Sequence, residues 1–279
     1  MNRVIAIITA AFLLMGAGLP PIGEAQDSPI VAIAGTPSGN GFWLVDAAGR
    51  IEPHGDAASI PNPTPPEDVA DAAASPSGNG LWLVNHSGAV FSFGDAEQFE
   101  TPSPSPCCII ERTLSGKGLW LVDHDGTIFT RGDAQTPHPS PSGWPEPNPT
   151  GIVDIAATPS GNGLWLLGES GGVWEFGDAQ LFEMPEPSPG EIFSALAATP
   201  SGMGLWAVTS TGQVFTQGDA PFLGYPDPCC PSIVDMHATP SGQGYRLVDI
   251  TGEVFEFGDA QTLIIVKPCP ANSPKCPPK

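Results

Sequence analysis

The tripeptide Gly-Asp-Ala recurs six times along the chain, and its acids Asp56, Asp95, Asp133, Asp178, Asp219 and Asp259 stand 39, 38, 45, 41 and 40 residues apart. A period near 40 is what β-propeller blades show. Six segments align on it: Ile30 to Ala57, Val69 to Ala96, Ile109 to Ala134, Ile152 to Ala179, Phe193 to Ala220 and Ile233 to Ala260. With 34 Gly and 34 Pro among 279 residues, the composition disfavours helix-rich architectures. A hydrophobic content of 41% and the strict repeat nevertheless supply a core.

In the clearest copy, 152–157 (IVDIAA) predicts a first strand and 158–163 (TPSGNG) a turn. Leu164 to Leu167 predicts a second strand, Gly168 to Gly171 a second turn, and Gly172 to Phe176 a third strand. A short fourth strand is expected around Leu181 and Phe182. One such meander, apolar on both faces, cannot bury itself, so copies must pack face to face around an axis. The expectation is an all-β, six-bladed propeller of four-stranded antiparallel blades.

The columns of the alignment agree with this. Second strands carry Trp43, Trp82, Trp120, Trp165 and Trp206 at one position, with Arg246 as the sixth. Third strands open with Ile51, Val90, Ile128, Val173, Val214 and Val254. Indoles repeated on a central strand are explained by packing between blades. Pro-rich linkers between copies block strand addition at the outer edges.

The quoted turn and strands, with Gly-Leu-Trp-Leu-Leu at 163–167 and Gly-Gly-Val-Trp-Glu-Phe-Gly-Asp-Ala at 171–179, resemble the secreted Trp/Gly-rich repeat proteins common in actinobacteria. Their unit reads approximately Gly-Tyr-Trp-Leu-Val followed by Asp-Gly-Gly-Ile-Phe-x-Phe-Gly-Asp-Ala. The resemblance spans about residues 30 to 262 and implies an extracellular propeller-like module with no catalytic residues to carry over. Arg246 departs from it, as does Ile51-Glu52-Pro53-His54 in the first copy, so irregular terminal blades are expected.

Arg3, the apolar run Val4 to Leu14 and the small residues Gly23 and Ala25 predict a signal peptide over 1–25, cleaved before Gln26. The propeller is then assigned to 26–266 and a Pro/Cys-rich tail to 267–279. A secreted or envelope-associated location follows, with no membrane span after signal removal. In that setting six cysteines read as disulfides. Cys107-Cys108 and Cys229-Cys230 fall half a turn apart, so vicinal disulfides are favoured, or a bond from Cys269 or Cys276 to the 229–230 pair. A net charge of -21 makes nucleic acid a poor partner.

Candidate sites are few. The first-strand column reads Ala32, Asp71, Ile109, Asp154, Ala195 and Asp235. In a six-bladed ring its three acids are about 120° apart and would converge on the channel, where Ca²⁺ would suit them. The competing reading has each acid bonding local backbone. The Gly-Asp-Ala acids are expected to cap turns through backbone N–H groups. Trp144, in the longest linker, is a candidate recognition anchor, and Cys107, Cys108, Cys229 and Cys230 candidate ledges for stacking a ligand. No nucleophile elbow, zincin helix or phosphate loop is present. The expected function is a noncatalytic binding or scaffold propeller for glycan or cell-envelope protein. The alternative is an extracellular hydrolase, of calcium-dependent lactonase or glycosidase type, working through channel carboxylates.

Overall fold

The computed structural model describes residues 28–62, 66–99, 109–136, 151–226 and 232–260. Its strands form six antiparallel sheets. The first is β1 (Ile30–Gly35), β2 (Gly41–Asp46) and β3 (Ile51–Gly55), and the second is β4 (Val69–Ala74), β5 (Gly80–Asn85) and β6 (Val90–Gly94). The third is β7 (Ile109–Arg112), β8 (Gly118–Val122) and β9 (Ile128–Gly132), and the fourth is β10 (Ile152–Ala157), β11 (Leu164–Gly168) and β12 (Val173–Phe176). The fifth is β13 (Phe193–Ala198), β14 (Gly204–Thr209) and β15 (Val214–Gly218), and the sixth is β16 (Ile233–Ala238), β17 (Gly244–Asp249) and β18 (Val254–Gly258). Each β-strand triplet is one blade, and the first strands pack in succession until β16 meets β1 and closes the ring.

Among the described residues each blade has three strands, which corrects the expectation of four. The cause is visible at the indoles. Trp165 Nε1 donates to the Gln180 carbonyl at 2.7 Å, and Trp43, Trp82, Trp120 and Trp206 each make the same bond fifteen residues downstream. A carbonyl drawn onto an indole turns the chain off the third-strand edge, so Leu181 and Phe182 lie outside any strand. The segment crosses instead to the next blade, where Gln217 Nε2 donates to the Glu183 carbonyl at 2.8 Å. This linker thus meets the third strand of the fifth blade.

All five tryptophans are 0–1% exposed, each between its own blade and the next. Trp82 and Val84 meet Ile110, Leu119 and Leu121, and Trp165 and Leu167 meet Leu196, Leu205 and Ala207. Burying side chains of this size stabilises each junction by on the order of a few kcal/mol. The junction between sixth and first blades differs. Fully buried Arg246 pairs with Glu256 at 3.0 Å, donates to the Gly39 carbonyl at 3.0 Å and lies over the Phe42 ring. The first blade is regular in spite of Pro53: β3 pairs with β2 along its length, and His54 stacks on Phe42.

A backbone relay reinforces the ring. The second residue of a β2–β3-type hairpin accepts from the first strand of the next blade, as in Ala47 from Val69, His124 from Ile152, Glu169 from Phe193, Ser210 from Ile233 and Ile250 from Ile30. Among the described residues no helix is long and apolar enough to cross a membrane.

Candidate functional site

Two constellations of carboxylates follow from this architecture. The Gly-Asp-Ala acids do not cap turns through backbone N–H groups as expected. Each accepts two hydroxyls from the first turn of its own blade. Thr158 Oγ1 donates to Asp178 Oδ1 at 2.8 Å and Ser160 Oγ to Oδ2 at 2.5 Å. The same clamp joins Thr36 and Ser38 to Asp56, Ser75 and Ser77 to Asp95, and Thr113 and Ser115 to Asp133. Thr199 and Ser201 hold Asp219, and Thr239 and Ser241 hold Asp259. The glycine before each acid has φ of 58° to 67°, and a Cβ there would strike a first-turn carbonyl such as that of Asn162. Only glycine turns the third strand sharply enough to deliver the carboxylate.

The second constellation lies on the axis. Asp71, Asp154 and Asp235 occupy one register level, opposite Val84, Leu167 and Val248, and Ile109 holds the same level opposite Val122. A β-bulge just before each acid re-aims its side chain. The three line a single cavity of about 210 Å³. Each carboxylate accepts one local N–H and one from the next blade. Asp71 takes Ala72 at 2.7 Å and Ile110 at 2.9 Å, and Asp154 takes Ile155 at 2.7 Å and Leu196 at 2.6 Å. Asp235 takes Met236 at 2.6 Å and, across the ring closure, Ile33 at 2.7 Å. Among the described residues no three His, Cys, Asp or Glu side chains form a group able to hold a metal ion.

Burial, and then the Asp235 carboxylate, hold Asp71 and Asp154 well above the usual carboxylate range. Burial likewise pushes Asp235 up to about 7, against the pull of the Ile33 and Met236 N–H groups.

Above these acids the channel widens to a vestibule of about 510 Å³, rimmed by turn prolines such as Pro159, Pro200 and Pro240. Glu111, Arg112 and His237 line both cavities. Burial raises the Glu111 pKa, with Arg112 opposing, and burial beside Arg246 and Arg112 lowers His237 to about 4. These three were missed in the sequence. Their only signal is that Glu111 and His237 interrupt a column of alanines. Trp144, Cys107, Cys108, Cys229, Cys230, Cys269 and Cys276 lie outside the described residues, as do the proposed signal and tail.

A closed ring of antiparallel blades around a lined axial channel defines a β-propeller. Among solved structures the chain is similar to the crystal structure of the β-propeller domain of Cps50 (Swd1) from Myceliophteria thermophila, with a TM-score of 0.51, 12% identity and 82% of each chain covered. At that identity the likeness bears on the fold alone. No protein-family model and no curated protein sequence matches the chain.

Proposed function

We propose that this propeller is a noncatalytic binding or scaffold module, exported and engaging glycan or cell-envelope protein. The observation that carries this reading is the commitment of the channel acids: both oxygens of Asp71, Asp154 and Asp235 are engaged by backbone N–H groups, half of them from a neighbouring blade. Carboxylates so used hold blades together. The residues free to meet a partner lie elsewhere. Leu181, Phe222 and Tyr225 are 64%, 56% and 54% exposed on segments joining the fourth, fifth and sixth blades. Exposed aromatics on irregular segments are suited to recognition. The -21 charge favours partners that are neutral or basic.

A glycan array and an envelope-extract pull-down, repeated with Phe222→Ala and Trp144→Ala, test this reading. Saturable binding lost in either variant supports it. One observation favours the hydrolase alternative: the raised pKa of Asp154 would suit a general acid. Turnover of a lactone or aryl-glycoside panel that disappears in Asp154→Asn would replace the binding reading.

A further inference from the structure

The six third strands are not equally covered. At their second and third positions five blades carry half-buried residues, such as Phe91 and Ser92 in β6 or Phe255 and Glu256 in β18. In β3 the same two positions, Glu52 and Pro53, are exposed.

The cover comes from the linker that leaves the preceding blade. A Cβ at Gly132 of β9 would strike the Phe99 ring, and one at Gly258 of β18 would strike Leu223. Ile60 packs with Leu81 and Phe93 of the second blade, and Phe182 with Phe215 of the fifth. Each of these four side chains stands three residues beyond a Gly-Asp-Ala and seventeen beyond the second-strand tryptophan of the blade it leaves. The first blade has no earlier blade to send it such a linker.

An unsatisfied donor lies at the same closure. Arg246 occupies the tryptophan position of the sixth blade, and its Nη1 is buried with no hydrogen-bond partner among the described residues. The five tryptophans at that position donate to the carbonyl fifteen residues further on.

We propose that the C-terminal segment 261–266 docks on the outer edge of the first blade and closes the ring from outside, with Leu263 seated against Gly55 and the Gln261 carbonyl turned to Arg246.

The register selects this occupant. Gln261 is fifteen residues beyond Arg246, and Leu263 is seventeen beyond it and three beyond Ala260. The receiving surface has the same layout as the one Ile60 meets: Phe42 pairs with His54 beside Gly55, as Leu81 pairs with Phe93 beside Gly94. Leu263 to Val266 are four consecutive aliphatic residues, which gain by leaving water. Residues 261–279 hold three lysines and no acid, so the field of a chain carrying -21 attracts them, whereas it repels a second copy from the same edge. Pro53 offers no N–H to an added strand, so the segment crosses β3 through side chains and does not extend the sheet.

The test is hydrogen exchange, read by mass spectrometry on the full chain and on Leu263→Asp and Leu263→Met. Leu263→Asp should speed exchange across 51–55 by about tenfold or more, leave 214–218 of the fifth blade unchanged and lower the melting temperature by about 5 °C. Leu263→Met should match the parent in both measurements. Should Leu263→Asp fail to fold, Leu263→Ala is read in its place for the same local rise at 51–55. Unchanged exchange at 51–55, or a rise spread evenly over all six blades, overturns the proposal. A concentration-dependent dimer in light scattering that Leu263→Asp abolishes also overturns it, because the segment then sits on a second copy.

Discussion

The rim and the channel use the same side chain for opposite ends. At the rim, Asp178 takes hydroxyls from Thr158 and Ser160, 20 and 18 residues away within one blade, and water reaches the site. In the channel, Asp235 takes a backbone N–H from Ile33, 202 residues away in another blade, and is half-buried. The rim clamp repeats in all six blades because every blade must fix its first turn to the end of its third strand. The channel clamp appears in alternate blades. Burial, and then the Asp235 carboxylate, already raise the pKa values of Asp71 and Asp154, and six acids facing one axis would repel still more strongly. A local bond tolerates repetition, whereas a buried charge tolerates it only to the extent that its neighbours remain neutral.

Indole packing provides the scale for this contrast. Trp165→Ala removes a fully buried indole and orphans the Gln180 carbonyl, and should lower unfolding free energy by about 4 kcal/mol in urea denaturation. Asp235→Ala, which strands the Ile33 and Met236 N–H groups, should cost about 2 kcal/mol. Asp178→Ala exposes hydroxyls that water can satisfy, so about 1 kcal/mol is expected in the same assay. If Asp178→Ala proves the costlier of the two, the division between rim and channel fails.

The smallest expected effect is a pH slope, and it distinguishes the two regions without disrupting either. The channel acids and Glu111 bind protons more tightly folded than unfolded. Their contribution is full below the ordinary carboxylate value and is lost as pH rises, for Asp235 through about 7. His237 has the opposite sign, full above its ordinary 6.5 and lost as pH falls toward about 4. Four acids outweigh one imidazole, so the melting temperature should rise as pH falls from 7 to 5. Thermal scans of Asp154→Asn should show a shallower slope than the parent.

Much of the ring was legible beforehand. The near-40 spacing of the Gly-Asp-Ala acids and the indole column required blades that bury one another. The Ala32-to-Asp235 column placed three acids at one level of the axis, where they stand. The fourth strand was not legible as absent: Leu181 and Phe182 have strand-like chemistry, and only the Trp165 bond to Gln180 shows why the chain leaves the edge. The rim clamp did leave a trace, since a Thr or Ser and a second Ser precede every Gly-Asp-Ala acid by 20 and 18 residues, a constancy the variable linkers do not share.

Local chemistry, repeated six times, determined the blades: turn residues, alternating apolar positions and a period act within some 40 residues, and the chain order displays them directly. The channel was decided by closure. Which oxygen meets the Ile33 N–H, how Arg246 stands in for an indole against Gly39, and why Gly35 makes room for His237 depend on residues more than 200 positions apart. They become neighbours only when the last blade meets the first.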